Sequence, residues 1–347
     1  NDGSIYAVGF QSGPTLHSDL RSTYRGFNGL GDDVINNDTQ LGEGNTGFVV
    51  KYGSDLKAEW IRNTNEWVSA VEVTDDNSIY YGGQITPGHN GAYLSKLNQE
   101  GTVEWKTTFS DNSENSIQAI SFDSINNSVY VAGTTGQADT TYLKKFNTSG
   151  EIIWTNTITA TQTNPIWWSR DIQFDSKGNI YLSSGDWQSN YLINKYDKDG
   201  NLIWNRNDIN SNEIYLSKND EIYTIVEDSI GNYSSVDGSK IWEQKVRGPE
   251  NTSVLLNSID VDKDGFIYVT GINPSDVGDV YLGKYSSEGE RQWEASIGSH
   301  SKDEALSLKI DDENNIIIGG RWNTIFNEGN TWQGEMDGFI YKLSQQE

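Results

Sequence analysis

Residues 172–204 read IQFDSKGNIYLSSGDWQSNYLINKYDKDGNLIW. Four short segments alternate apolar and polar residues within this stretch, and turn residues separate them. A period of two marks half-buried strands. Asp175 opens the first turn, where a carboxylate bonds backbone N–H groups ahead of it. Gly200 closes the last turn, four residues before Trp204.

The same order recurs in both directions along the chain, with four strands, A to D, in each unit. In strand A, apolar residues alternate at Val71 and Val73, Ile120 and Phe122, Ile172 and Phe174, Ile259 and Val261, and Leu308 and Ile310. Asp123, Asp175, Asp262 and Asp311 begin the A–B turn, and Thr74 stands there in the second unit. Strand B carries Tyr6, Tyr80, Tyr130, Tyr181, Tyr223 and Tyr268, with Ile317 in the last unit. Strand C carries Lys51, Lys96, Lys145, Lys195, Lys284 and Lys342. Strand D carries Trp60, Trp105, Trp154, Trp204, Trp242 and Trp293. Gly101, Gly150, Gly200, Gly238 and Gly289 each lie four residues before one of those tryptophans.

Four-stranded units of 40 to 50 residues are β-propeller blades. Seven B strands and seven C strands predict an all-β, seven-bladed β-propeller of four-stranded antiparallel blades. It is read as a single domain, 1–347, with blades at 1–64, 65–110, 111–160, 161–208, 209–247, 248–297 and 298–347. One large aromatic per blade, at a fixed place, predicts structural docking between neighbouring blades. The first and last blades are incomplete in this chain. Strand A of blade 1 falls before Asn1 by register, and residues 345–347 are too few for a strand D. The chain is a piece of a longer polypeptide, or one blade is incomplete, or another segment fills the gap. The first reading is favoured, because propellers tie their ends into one blade to avoid open edges.

The order D-x-x-G-N-I-Y, then L-x-K-Y, then D-G-x-x-x-W resembles the SBBP-type propeller repeats of secreted bacterial proteins. The G-x-x-x-W ending also resembles the tryptophan-docking repeat of quinoprotein (PQQ-like) propellers. The resemblance spans nearly the whole chain and implies the fold, together with a secreted or cell-surface bacterial setting. Quinoprotein dehydrogenases have eight blades and a vicinal cysteine pair. Seven blades and no cysteine do not match that pattern, so no redox activity is carried over.

Composition narrows the function classes. A formal net charge of −25 excludes nucleic acid and anionic membrane surfaces as expected partners, since phosphate binding needs clustered Lys and Arg. No apolar run is long enough to insert into a membrane. Without cysteine the fold relies on its core rather than on disulfides.

Antiparallel connections put the A–B and C–D turns at one end of each blade and the B–C loops and D–A links at the other. Nearly all insertions fall at the second end, the loop face. The largest are residues 11–47 in blade 1 and 321–337 in blade 7. The six tryptophans outside the D column, Trp67, Trp167, Trp168, Trp187, Trp322 and Trp332, all fall there too. Trp67 and Trp168 occupy the same repeat position, seven residues before Thr74 and Asp175. With Arg170 these are the candidate ligand-binding residues, because exposed aromatic rings stack on sugar faces and anchor protein partners. The competing reading is that the rings cap blade ends or pack under long loops.

Catalytic chemistry is sparse, and no catalytic residue is assigned. His17, His89 and His300 sit in loop-face segments with Asp32, Asp33, Asp303 and Glu304, without the spacing of a metal motif. Asp260, Asp262 and Asp264 begin like a calcium loop, but its twelfth position is Gly271, not Glu. Asp32 and Asp33 are the other weak metal candidates. No cofactor is required, and calcium is the one the acidic loops admit. The sequence leans away from an enzyme and towards a non-catalytic extracellular binding or adhesion propeller, its glycan or protein ligand held on the loop face. The alternatives are a polysaccharide-active enzyme using the same face, and a structural subunit of a surface layer or filament that self-associates.

Overall fold

The computed structural model describes residues 3–11, 30–34, 46–85, 91–109, 116–135, 140–159, 168–185, 191–209, 211, 213–274, 278–298, 303–323 and 336–345. Seven antiparallel sheets follow one another along the chain, which is the seven-bladed β-propeller class. Blade 2 shows the pattern. Its strands A to D are Trp67–Val73, Ile79–Gln84, Ala92–Leu97 and Val103–Phe109, paired in that order.

The chain falls into two compact units, Asn1–His17 with Thr39–Asp220, and Ser18–Asp38 with Glu221–Glu347. The first holds blades 1 to 4 and strand A of blade 5. The second holds the remaining strands of blade 5 and blades 6 and 7.

Within each unit the core lies between sheets, which is why the strands carry apolar residues. Tyr80, Ala92 and Leu94 of blade 2 pack on Ile117, Ile120, Val129, Val131, Tyr142 and Phe146 of blade 3. Tyr268, Val280 and Leu282 of blade 6 pack in the same way on Leu308, Ile316, Ile318 and Phe339 of blade 7. Each such fully buried side chain is worth about 1.5–3 kcal/mol.

The Tyr, Lys and Trp columns are one row across each blade. Tyr80 pairs with Lys96 and Lys96 with Trp105; Tyr130, Lys145 and Trp154 align likewise, as do Tyr181, Lys195 and Trp204, and Tyr268, Lys284 and Trp293. Within a row, Lys195 Nζ lies 4.8 Å from the centre of the Tyr181 ring, and that ring meets Trp204 edge-on at 5.8 Å. The buried ammonium is paired as well: Lys195 Nζ is 3.1 Å from Asp175 Oδ2, and Lys342 Nζ is 3.2 Å from Asp311 Oδ2. The aspartates that open the A–B turns thus also neutralise the lysines of strand C.

Each described tryptophan dock reaches the next blade. Trp60 Nε1 donates to Gln99 O at 2.9 Å, Trp105 Nε1 to Thr148 O at 3.0 Å and Trp242 Nε1 to Ser287 O at 3.1 Å. The rings lie flat on the turn glycines. A Cβ at Gly101 would stand 2.9 Å from Trp60, and one at Gly150 would stand 2.7 Å from Trp105. Both glycines also adopt positive φ, 75° and 85°, so the turn needs glycine for two separate reasons.

The ends of the chain differ from one another. The blade 7 sheet has four strands, because Leu30–Val34 pairs antiparallel with Met336–Gln345 as its outermost member. That strand comes from the long B–C link of blade 1, so a segment from elsewhere in the chain fills the outer gap. The gap is not left open, because an unpaired outer edge would expose a row of backbone donors and acceptors. Blade 1 has three strands, Ile5–Gln11, Thr46–Tyr52 and Ala58–Thr64.

Candidate functional site

The site begins with a backbone irregularity at the loop-face end of strand A. In each of five blades this strand carries a one-residue bulge. Register places Ser69, Gln118, Arg170, Asn257 and Leu306 as the extra residues. A bulge leaves one residue unpaired and re-aims its side chain.

In three blades the re-aimed side chain ties to the next strand A. Ser69 Oγ donates to Ile117 O at 2.5 Å, Gln118 Oε1 accepts from Ser169 N at 2.8 Å, and Asn257 Nδ2 donates to Ala305 O at 2.8 Å. Arg170 departs from this pattern. Its side chain is exposed, with Cζ 4.9 Å from the centre of the Trp168 ring. In blade 4 the tie to blade 5 is made one residue later, where Asp171 Oδ2 accepts from Ile214 N at 3.3 Å. Arg170 is thereby released from the structural work of its column.

Trp168 opens strand Trp168–Phe174 and is half-buried, and Trp67 opens Trp67–Val73 in the same state. The Trp67 carbonyl accepts from Tyr93 Oη at 3.2 Å. These two tryptophans stand on strands A of blades 2 and 4, with blade 3 between them in chain order. Trp322 lies on strand Ile316–Asn323, where its backbone pairs with Asp303 and Asp337. Trp167, Trp187, Trp332, His17, His89 and His300 lie outside the described residues. Among the described residues, the structure therefore brings together one sequence-derived pair, Trp168 with Arg170.

The candidate metal ligands are committed separately. Asp262 Oδ1 accepts from Asp264 N at 3.0 Å and Phe266 N at 2.9 Å, while its Oδ2 accepts from Tyr268 Oη at 3.0 Å. Asp260 Oδ2 accepts from Ile310 N at 2.7 Å in blade 7. Asp264 Oδ2 meets Asn314 Nδ2 at 3.4 Å. Asp32 and Asp33 lie on Leu30–Val34. Among the described residues no group of three His, Asp or Glu side chains is placed to hold a metal ion.

A feature not singled out in the sequence lies at the opposite, turn end. The A–B turns of blades 3, 4 and 5, with Glu72, line an open depression of about 410 Å³. Its acids serve the fold. Asp123 Oδ1 accepts from Ile125 N and Asn126 N at 3.0 and 3.1 Å, and Asp175 Oδ1 accepts from Asn179 N at 2.8 Å. Asp220 accepts from Ser176 N and Oγ at 2.7 and 2.6 Å, and Glu72 Oε1 accepts from Phe122 N at 3.2 Å. Burial pushes the Asp175 carboxyl up, but bonds from Asn179 and Lys195 outweigh it and hold the group below the usual range. Carboxylates already satisfied by turn N–H groups have little to offer a ligand. The column of turn aspartates was the signal in the sequence that marks this end.

No protein-family model and no curated protein matches the chain. Solved structures do. One is a protein of unknown function from Bacteroides caccae, with 14% identity and a TM-score of 0.52, covering 72% of this chain and 89% of that one. Another is a candidate 6-phosphogluconolactonase from Bacteroides uniformis ATCC 8492, with 13% identity and a TM-score of 0.55, covering 84% and 90%. A third is KlHsv2 with loop 6CD replaced by a Gly-Ser linker, with 11% identity and a TM-score of 0.53, covering 86% and 92%. At such identities the likeness is one of fold, and a fold of this kind hosts many unrelated functions.

Proposed function

We propose that this chain is a non-catalytic extracellular binding or adhesion propeller that holds a glycan or protein ligand on the loop face. The repeat type that best suits its columns is the tryptophan-docked, SBBP-like one, and that resemblance is what supports export to the cell surface. The observation that carries the binding reading is Arg170. It sits at a bulge whose equivalents tie neighbouring blades together, yet it stands exposed over the half-buried Trp168 ring.

The chemistry of the pair suits recognition. An indole offers a flat apolar face to a sugar ring or an aliphatic side chain. A guanidinium offers a rigid fork of donors to a carboxylate. Stacked together, the two groups lose little freedom when a ligand arrives. On a chain of net charge −25, an exposed arginine beside an aromatic ring gives an anionic group a local point of attraction.

The test is a screen of the purified chain against a glycan array and surface-protein extracts, run beside Trp168→Ala and Arg170→Ala. Binding that both substitutions weaken supports the proposal. Binding unchanged by either, with the fold intact by circular dichroism, overturns it.

A further inference from the structure

We infer that the free edge of Ile5–Gln11 in blade 1 is a strand-acceptor site, which takes an extended peptide strand built like the strand A of the other blades. This inference is independent of the binding proposal.

Three observations converge on it. Ile5–Gln11 occupies the strand B place, since Tyr6 pairs with Lys51 and Lys51 with Trp60. In the other blades strand B is paired on both edges, whereas the sheet order of blade 1 leaves Ile5–Gln11 at its margin. Among the described residues no strand pairs with that second edge.

Burial follows from this. Ile5, Tyr6, Ala7 and Val8 are all half-buried, while their blade 2 counterparts Ile79, Tyr80 and Tyr81 are 0%, 1% and 3% exposed. The apolar positions are therefore in place and a covering strand is lacking.

Gly3 supplies the third observation. In the other blades the residue three before the B-column position ends the A–B turn with positive φ. It is Asn77 (60°), Asn127 (49°), Gly178 (75°), Asp220 (60°), Gly265 (87°) and Asn314 (63°). Gly3, three residues before Tyr6, has φ 72°. Blade 1 thus holds the turn geometry that follows a strand A.

The repeat itself specifies the occupant. Apolar residues must alternate, as at Val71 and Val73, to cover one face of blade 1. Between them a hydrogen-bond acceptor is expected, because Glu72 accepts from Phe122 N and Asp260 from Ile310 N in the following strand A. An acceptor in the blade 1 slot would meet Val73 N in the same way. Main-chain hydrogen bonds to the edge would give affinity, and the alternating pockets would give selectivity.

The test uses the whole chain and a peptide of its own sequence, Ser69–Asn77 (SAVEVTDDN), in excess. Hydrogen exchange followed by mass spectrometry reads the Ile5–Gln11 amides. The expected result is exchange slowed about tenfold or more in that segment, with no slowing by a peptide in which both valines are replaced by aspartate. Three results would overturn the inference. One is exchange unaffected by the peptide. Another is exchange in Ile5–Gln11 already as slow as in Ile79–Gln84 without it. The last is slowing that follows protein concentration alone, which would assign the edge to a second copy of the chain.

Discussion

Trp105, on the outermost strand of blade 2, donates its indole N–H to the carbonyl of Thr148 in blade 3 at 3.0 Å. Its ring also lies on Gly150, so that the dock is one part hydrogen bond and one part close packing. Blade-to-blade cohesion in the first unit rests on contacts of this kind repeated along the chain.

Gly150→Ala should therefore destabilise the protein by about 2 kcal/mol, combining a left-handed backbone strain with a methyl pressed on the indole. Trp105→Ala should cost about 3 kcal/mol through the void it leaves. Denaturant midpoints followed by tryptophan fluorescence read both. If Gly150→Ala unfolds at the parent midpoint, the ring does not rest on that glycine.

The turn aspartates set an acid limit. Asp175 and Asp311 are pushed up by burial, but bonds from Asn179 with Lys195, and from Asn315 with Lys342, leave both carboxyls net below their ordinary range. A carboxyl with a depressed folded-state pKa binds fewer protons folded than unfolded. Its contribution is fully present above the unfolded pKa, near 4, and is lost as pH falls through the lower folded value. The parent should lose stability below about pH 4. Asp175→Asn, though less stable at pH 7, should show a shallower acid limb. Thermal melts from pH 7 to pH 3 decide this, and parallel curves for the two proteins would refute it.

Asp260 has the opposite sign. Burial pushes its carboxyl up, against the pull of Lys309 and of the backbone donors Ile310 and Val261. Folded Asp260 therefore binds more protons than unfolded Asp260 between the two pKa values, so its contribution falls as pH rises through that window. The stability of Asp260→Asn relative to the parent should improve as pH rises above about 4. A difference independent of pH would show that Asp260 is not desolvated in the folded protein.

Most of the architecture could be read from the residues. Tyr80, Lys96 and Trp105 recur at fixed offsets because one row across a blade must fill the same space in every blade. The outer strand of blade 7 could not be read this way. LGDDV at Leu30–Val34 has no alternating apolar residues, since an outermost strand is held by its backbone edge to a single neighbour. The bulges were also hidden, because they arise from backbone register and not from residue type. Arg170 nonetheless left a trace. Its column reads Ser69, Gln118, Arg170, Asn257 and Leu306, and arginine is the one charged member. Of the loop-face tryptophans, Trp67 and Trp168 were legible through their shared repeat position, whereas Trp167 and Trp187 fall in segments without a repeat partner.

The Leu30–Val34 pairing has its own consequence. Asp32→Pro removes a backbone donor and imposes a fixed φ in a strand that pairs Asp32 with Leu343. Hydrogen exchange across Met336–Gln345 should then accelerate, while Trp67–Val73 in blade 2 should exchange as in the parent. Unchanged exchange in Met336–Gln345 would show that the pairing does not hold blade 7 together.

The binding account meets its most direct test in a footprint of the ligand-bound protein. Once the array has supplied a ligand, hydrogen exchange of the complex should be slowed around Trp168 and Arg170 and unchanged at the turns that carry Ser124, Ser176 and Lys218. Slowing confined to those turns, with Trp168 and Arg170 exchanging as in the free protein, would place the ligand on the opposite face and contradict the account.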